Sequence, residues 1–233
     1  MKRTALAITS VSTLLLGAAA VNVMRCLPRP EKPQKDMVRV ACIGDSITFG
    51  AGVSKTRKKD AWVYVLERKL GSAYQVINYG FIGATLQREG DLPYRKRGFL
   101  KKVKEAEPSV ILLMLGTNDS KSYNWDEARF REQYEELVCE LLEGTWPHRL
   151  VLLAPPKAFS KAKTAKVPYD IDDGLIRGTI RTTVFAIGEK YDLQVGDLYS
   201  LTEDHPEYFL DGVHPNKQGN KSIAEYLYGT LSF

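Results

Sequence analysis

The sequence predicts a three-layer α/β/α fold, in which a five-stranded parallel sheet lies between two layers of helices. From Val38 onward, short apolar runs alternate with amphipathic segments, which is the pattern of strands joined by crossover helices. The run SVILLML, at residues 109–115, is apolar on both faces, as a central parallel strand should be. With 233 residues, 44% of them hydrophobic, the chain is long enough to bury one sizeable core.

The first half of the domain is predicted to supply three strands and one helix. The first strand is VRVACI (38–43), and the helix AWVYVLERKLG follows and ends at Gly71. YQVIN (74–78) is the second strand, and SVILLML is the third. Two basic stretches, at residues 55–59 and 94–104, are predicted to be a solvated helix face or loop.

The second half alternates in the same way. DEARFREQYEELVCELLEG (126–144) has helical periodicity with acidic residues at its start. RLVLLAP is the fourth strand, GLIRGTIRTTVFAIGEKYD the next helix, and LQVGDL a short fifth strand. The last helix lies in NKQGNKSIAEYLYGTL, capped by Asn216 or a neighbour.

The N-terminus predicts a targeting segment. Lys2 and Arg3 precede an apolar stretch with small residues at positions 18–20, which is typical of a secretory signal peptide cleaved near Ala20. The stretch at 4–24 is also long enough to span a bilayer uncleaved. We therefore expect residues 1–24 to be a signal peptide or membrane anchor, 25–37 a linker and 38–233 the domain. The protein is then secreted or periplasmic, or else membrane-anchored.

Candidate site residues follow the predicted strands at their carboxyl ends, which is where a parallel sheet places its functional sites. Ser46 follows the first strand, Gly83 the second and Asn118 the third. Asp211 and His214 lie three residues apart in the loop before the last helix, so a turn can place the carboxylate on one imidazole nitrogen and leave the other facing Ser46. A serine nucleophile needs such a base and orienting acid.

Four ordered blocks, GDSITFG, NYGFIGAT, GTND and DGVH, resemble the SGNH, or GDSL-type, hydrolase superfamily over roughly residues 38–230. The resemblance implies the flavodoxin-like SGNH hydrolase fold. It also implies Ser46 as nucleophile, His214 as general base and Asp211 as the residue that orients His214. The backbone N–H groups of Ser46 and Gly83 and the side-chain amide of Asn118 would form the oxyanion hole.

The mechanism implied by the resemblance needs no cofactor and no metal. No zinc-ligand spacing is present, and three histidines in the whole chain disfavour a histidine-built metal site. Asp45 and Asp119, which belong to the first and third blocks, are predicted to be structural: their carboxylates would brace two loops by accepting backbone N–H groups.

The substrate is predicted from the loops. The long loop at 155–172 is basic and polar, which disfavours a lipid lid. The loops also carry five aromatic residues that either pack over the core or stack on sugar rings; they are Tyr79, Phe81, Tyr123, Trp125 and Tyr169. The blocks look like those of bacterial SGNH esterases that remove acetyl groups from carbohydrate. We therefore expect a serine esterase that hydrolyses short-chain, mainly acetyl, esters on carbohydrate through an acyl-enzyme.

Two alternatives remain open at this stage. One is a lysophospholipase or thioesterase of the same superfamily, and the other is a non-catalytic glycan-binding protein on this fold. The net charge of +5 is mild, and no nucleic-acid-binding motif accompanies the basic stretches, so no nucleic-acid partner is predicted. Membrane contact is expected only through the N-terminal segment.

Overall fold

The computed structural model describes residues 30–146, 148–160 and 167–231. Its five strands are β1 (Val38–Gly44), β2 (Tyr74–Gly80), β3 (Val110–Met114), β4 (Arg149–Ala154) and β5 (Gln194–Asp197). They form one sheet in the order β2–β1–β3–β4–β5, and every neighbouring pair is parallel. The predicted α/β fold with five parallel strands is confirmed.

The helices fill the crossovers between these strands. They are α1 (Ser46–Phe49), α2 (Arg57–Asp60), α3 (Trp62–Leu70), α4 (Phe99–Ala106), α5 (Glu127–Leu142), α6 (Asp173–Leu175), α7 (Arg181–Lys190), α8 (Leu198–Thr202) and α9 (Lys217–Thr230). A π-helical turn, Ile176–Ile180, joins α6 to α7. Helix α3 ends at Leu70 with the predicted Gly71 as its C-cap, and α9 is capped by Asn216, as predicted.

Four of the helices, α1, α2, α4 and α8, were not predicted as elements. Helix α4 begins inside the basic stretch 94–104 and ends just beyond it, yet it buries Leu100, Val103 and Ala106 on one face. Arg95, just before α4, and Lys104 both form ion pairs with Glu140 of α5. Part of this basic stretch is therefore neutralised within the fold.

Both faces of the sheet are buried. On one face, the side chains of Val40, Cys42, Leu112 and Val151 belong to the same core cluster as residues of α3 and α9. The side chains that alternate with them point to the other face and are also buried; they include Ala41, Ile43, Ile77, Ile111, Leu113, Leu150 and Leu152. This double burial explains why the strands have continuous apolar sequences.

The carboxyl ends of β2, β1 and β3, which are neighbours in the sheet, lie level with one another. Gly44, the last residue of β1, pairs with Gly80 of β2 and with Met114 of β3. A Cβ atom on Gly80 would lie only 2.2 Å from the backbone nitrogen of Phe49, so glycine lets α1 pack closely on the end of β2. The loops after β1, β2 and β3 therefore meet at one edge of the sheet.

From Lys32 onward the described chain forms one compact unit. The predicted signal peptide or anchor at 1–24 lies outside the described residues, as do the first residues of the predicted linker. Among the residues that the structure describes, no helix combines the length and the apolar character needed to cross a membrane.

Candidate active site

Ser46 is the first residue of α1 and follows the end of β1 by two positions. Asp45 caps this helix, because its carboxylate accepts the N–H of Ile47 at 2.8 Å. The helix ends after one turn at Gly50, whose φ of +94° is in the left-handed region. Since the first N–H groups of a helix have no partner within it, the Ser46 N–H has no acceptor within α1.

Asp211 and His214 come from the loop before α9. Asp211 Oδ1 accepts the N–H groups of Val213 at 3.0 Å and of His214 at 2.7 Å, and Oδ2 lies 2.6 Å from His214 Nδ1. The other imidazole nitrogen, Nε2, is 2.9 Å from Ser46 Oγ. The structure thus brings these three predicted residues into one hydrogen-bonded chain.

The hydrogen bonds to Asp211 also set its charge. Burial alone raises the pKa of Asp211, but the hydrogen bonds from His214 and Val213 outweigh it and lower the pKa from 3.8 to about 2. The carboxylate is therefore ionised at neutral pH and suited to stabilise an imidazolium. Because the folded pKa is depressed, the stability that Asp211 contributes is present above its unfolded pKa and is lost as the pH falls through about 2.

Gly83 and Asn118 lie on the two loops that flank Ser46, since β2 and β3 are the neighbours of β1. Gly83 has a φ of +77°, and a Cβ there would lie 2.7 Å from Leu92 Cδ1. Asn118 Nδ2 donates to the Ala84 carbonyl at 3.1 Å, which brings the two loops together. Among the described residues, no acceptor takes the second N–H of this amide.

Asp119 and Asn124 fasten the same two loops. Asp119 accepts the N–H groups of Leu86 at 2.9 Å and of Gln87 at 2.8 Å. Asn124 Nδ2 donates to the Asn118 carbonyl and to Asp91 Oδ1, both at 2.9 Å, and Asn124 Oδ1 accepts the Asp91 N–H at 2.9 Å. These contacts tie the loop after β3 to the loop after β2.

Asp45 and Asp119 are fully buried and accept backbone N–H groups, as the sequence predicted. Burial raises the pKa of Asp45 above its ordinary value, against the opposing effect of the Ile47 N–H. Burial likewise raises the pKa of Asp119 to about 6, although the N–H groups of Gln87 and Leu86 act in the opposite direction. Asp119 therefore titrates well above an ordinary aspartate.

The five predicted loop aromatics separate into two groups. Tyr79 and Phe81 are buried and Trp125 is half-buried against Phe130, so these three pack over the core. Tyr123 and Tyr169 are 62% and 55% exposed. The Tyr169 hydroxyl donates to Asp211 Oδ2 at 3.1 Å, a contact to the site that aromatic composition alone did not reveal.

Sequence reasoning also missed Asn124, because an asparagine before a helix is indistinguishable in sequence from an ordinary turn residue. His205, near the last block, stacks on Tyr208 and pairs with Glu207, and His148 bonds the carbonyls of Trp146 and Leu141. In the described part of the chain, no group of three or more His, Cys, Asp or Glu residues is arranged to hold a metal ion.

The chain is similar to known proteins in both sequence and structure. The sequence model of the GDSL-like lipase/acylhydrolase family matches residues 42–221. An acetylxylan esterase of Xylanibacter ruminicola is 33% identical over 227 residues, which covers 88% of this chain but 45% of that protein. The chain therefore spans less than half the length of this relative.

Three solved structures illustrate the shared fold. A carbohydrate acetylesterase family member from Sinorhizobium meliloti has a TM-score of 0.66 at 23% identity, over 83% of this chain and 96% of that one. The M. smegmatis aryl esterase has a TM-score of 0.69 at 20% identity, over 82% and 96%. A lipase/acylhydrolase from Enterococcus faecalis has a TM-score of 0.64 at 24% identity, over 84% and 98%. At these identities the similarity concerns the fold.

Proposed function

Because the chain belongs to the GDSL-like lipase/acylhydrolase family, we propose that it is a serine esterase that removes short acyl groups, mainly acetyl, from carbohydrate. The observation that supports this most directly is the chain of hydrogen bonds from Asp211 through His214 to Ser46, at 2.6 and 2.9 Å. A nucleophile, a base and an orienting acid in this order are what acyl transfer by serine requires. A glycan-binding module has no need of them.

In the proposed acylation step, Ser46 Oγ attacks the ester carbonyl carbon while His214 Nε2 takes the hydroxyl proton. The carbonyl oxygen becomes an oxyanion, and the free N–H of the Asn118 amide and the backbone N–H groups of Gly83 and Ser46 are the donors for it. The C–O bond to the alcohol then breaks, and His214 returns its proton to the leaving oxygen. The product is an acetyl ester on Ser46.

In deacylation, His214 takes a proton from a water molecule, and the water oxygen attacks the same carbonyl carbon. The oxyanion forms against the same donors, and its collapse releases acetate and returns the proton to Ser46. Asp211 stays ionised throughout and stabilises the imidazolium that forms twice per turnover. Every proton transfer thus passes through one imidazole that Asp211 holds in a single orientation.

The acetyl-carbohydrate substrate is supported by two kinds of observation. The Xylanibacter ruminicola relative that is 33% identical is an acetylxylan esterase, and one structural neighbour is a carbohydrate acetylesterase family member. The exposed side chain of Tyr123 lies on the loop that carries Asn118, and the exposed side chain of Tyr169 contacts Asp211. Such surfaces suit a polar ring better than a fatty chain, which needs an enclosed apolar groove.

A second candidate, hydrolysis of longer acyl esters, is favoured by Ile82 and Leu210. They adjoin Gly83 and Asp211 in sequence and are 36% and 80% exposed. A lysophospholipase or thioesterase would use such side chains to bind the acyl chain. Each CH₂ that entered an apolar groove would contribute about 0.8 kcal/mol, so the step from acetyl to octanoyl would add about 5 kcal/mol.

The test is a series of p-nitrophenyl acetate, butyrate and octanoate, measured below micelle-forming concentrations, followed by acetate release from acetylated xylan. We expect kcat/KM to fall steadily from acetate to octanoate, because the basic and polar sequence of the loop at 155–172 offers little apolar surface to the longer chain. The Ser46→Ala variant, purified in the same way, serves as the background. A tenfold or greater rise toward octanoate would reject the acetyl assignment in favour of the second candidate.

We also propose that the protein is exported. The support is the basic, apolar and small-residue pattern of residues 2–20, which lie outside the described part of the chain. Acetylated plant and microbial polysaccharides are too large to enter a cell, so an esterase acting on them must work outside it.

A further inference from the structure

We propose that the exposed ring of Tyr169 forms the subsite for the sugar ring of the leaving alcohol, directly beside His214. This inference rests on the proposed esterase function and specifies how the alcohol side of the ester is bound. It starts from an aromatic side chain that touches the base and the orienting acid while more than half of its surface stays open to solvent.

The contacts of Tyr169 place it against both residues of the His–Asp pair. Its hydroxyl donates to Asp211 Oδ2 at 3.1 Å, the same oxygen that bonds His214 Nδ1. Its ring lies 5.4 Å from the His214 imidazole in an edge-on arrangement, with an angle of 64° between the planes. Nevertheless, Tyr169 is 55% exposed.

The chemistry of the reaction decides what meets this ring. His214 Nε2 must donate a proton to the leaving oxygen, so that oxygen has to lie within hydrogen-bond distance of the imidazole. The rest of the alcohol therefore extends over the surface next to His214, to which Tyr169 contributes an exposed aromatic ring. The acyl group, in contrast, lies on the side of Ser46 and the oxyanion donors.

An exposed tyrosine ring matches a sugar in its chemistry. A pyranose has an apolar face of C–H groups, which packs on an aromatic ring, and hydroxyls at its edge, which stay hydrated when the site is open. A lipid alcohol would instead require a site that removes most of its surface from water. Tyrosine also loses little conformational freedom on binding, and here the hydroxyl is already held by Asp211.

The backbone around Tyr169 is built to hold the ring there. Tyr169 and Asp170 have φ values of +64° and +59°, a left-handed conformation that residues with side chains seldom adopt. The chain is hydrogen-bonded to the site before and after Tyr169. Before it, the Phe159 N–H donates to the Gly212 carbonyl at 2.7 Å; after it, the Asp172 N–H donates to Ser120 Oγ at 3.1 Å.

Gly212 lets this segment approach the His214 loop. A Cβ at Gly212 would lie 2.3 Å from the Phe159 carbonyl oxygen and 3.1 Å from Pro168 Cδ. Gly212, the glycine of the DGVH block, therefore leaves room for the segment that carries Tyr169. Its own φ of +89° also favours glycine at this position. Tyr169 is held in position without being buried, as a surface that binds a ligand must be.

The experiment compares two acetate esters that differ in their alcohol: ethyl acetate, whose alcohol has no ring, and fully acetylated xylose. The quantity measured is the ratio of kcat/KM for the xylose ester to that for ethyl acetate. Three variants are used: Tyr169→Ala removes the ring, Tyr169→Phe keeps the ring without the hydroxyl, and Tyr228→Ala removes a 49% exposed tyrosine of α9 as a matched control.

We expect Tyr169→Ala to lower the ratio about tenfold, while Tyr169→Phe and Tyr228→Ala keep it within about twofold of the wild type. Both Tyr169 variants lose the hydrogen bond to Asp211, so both lower kcat on the two esters by a similar factor. If Tyr169→Ala does not fold, Tyr169→Leu, which keeps apolar bulk without a flat face, should lower the ratio in the same way.

A ratio that stays unchanged in a folded Tyr169→Ala protein, with both activities reduced alike, would show that Tyr169 only positions Asp211 and would overturn the subsite. An equal fall in Tyr169→Phe would also overturn it, because the hydroxyl rather than the ring would then recognise the sugar. Wild-type protein that hydrolyses neither ester would refute the proposed function itself, so the two failures are distinguishable.

Discussion

At the scale of single residues, Asn118 has an amide with one N–H committed to the Ala84 carbonyl and one N–H without an acceptor among the described residues. As the proposed oxyanion donor, the free N–H would act mainly on the charge that develops in the transition state. We therefore predict that Asn118→Ala lowers kcat by about 10² to 10³, or roughly 3–4 kcal/mol, and leaves KM nearly unchanged. Steady-state kinetics on p-nitrophenyl acetate measure this.

A second asparagine in the same loop provides the control. Asn124→Ala removes the hydrogen bonds to the Asn118 carbonyl and to Asp91 but no proposed oxyanion donor. It should lower the free energy of unfolding by about 1–3 kcal/mol and reduce kcat less than Asn118→Ala does. If Asn118→Ala raised only KM, Asn118 would be a substrate-binding residue instead.

Some residues of the site are predictable from sequence and others are not, for a physical reason. Ser46, Asp211 and His214 lie in short blocks whose local geometry, a strand end or a three-residue turn, already restricts their position. Asn124 and Tyr169 act through contacts with segments that are distant in sequence, such as Asp91 and Asp211. No local pattern marks such a partner, so only the folded chain reveals the contact.

At the scale of elements, Asp119 links the loop after β3 to the loop after β2 by accepting two backbone N–H groups. Its pKa is raised to about 6 in the folded protein from an ordinary 3.8. Between these two values the folded state holds a proton that the unfolded state has lost, so stability falls as the pH rises. The full contribution is present below the unfolded pKa and is lost above about 6.

We predict that this dependence disappears in Asp119→Asn, which cannot titrate. The free energy of unfolding of the wild type, relative to that of the variant, should fall by roughly 2 kcal/mol between pH 4 and pH 7, since one pKa unit corresponds to about 1.4 kcal/mol and part of the effect is already lost at pH 4. Urea unfolding at several pH values measures it. A difference between the two proteins that is independent of pH would mean that the Asp119 pKa is not raised.

The elements themselves were predictable in proportion to the strength of their periodicity. The segments around α3, α5 and α9 have clear apolar faces and end signals, and the structure contains them. Helix α4 was not predicted because lysines separate its three buried residues and obscure the apolar face. Helix α8 was not predicted because it has only five residues. The π-helical turn at Ile176–Ile180 lies inside the segment predicted as one helix, GLIRGTIRTTVFAIGEKYD, because hydrophobic periodicity does not distinguish one π turn from an α turn.

At the scale of the whole molecule, the strand order decides where the site forms. Alternating strands and helices predicted a parallel sheet but not its strand order, and only the resemblance to a flavodoxin-like fold implied that β1 lies between β2 and β3. That order places Ser46 between the loops of Gly83 and Asn118. Strand order depends on how the crossovers pack as a set, which is a property of the folded chain as a whole.

The proposed export makes a prediction at the same scale. Protein recovered from the extracellular or periplasmic fraction of the native host should begin near Val21, because cleavage is expected after the small residues 18–20. N-terminal sequencing tests this. A variant with arginine at positions 18 and 20 should retain the leader and its mass. Protein that keeps Met1 and is found in the membrane fraction would favour the anchor instead.

The most direct test of the central claim, that Ser46 is the nucleophile of an esterase, is the turnover of Ser46→Ala on p-nitrophenyl acetate beside Ser72→Ala, which alters an exposed serine between α3 and β2. We predict that Ser46→Ala folds like the wild type, loses about 10³ to 10⁶ in kcat and is not labelled by a fluorophosphonate. Ser72→Ala should keep both activity and labelling. A folded Ser46→Ala protein with near-wild-type turnover would contradict the account.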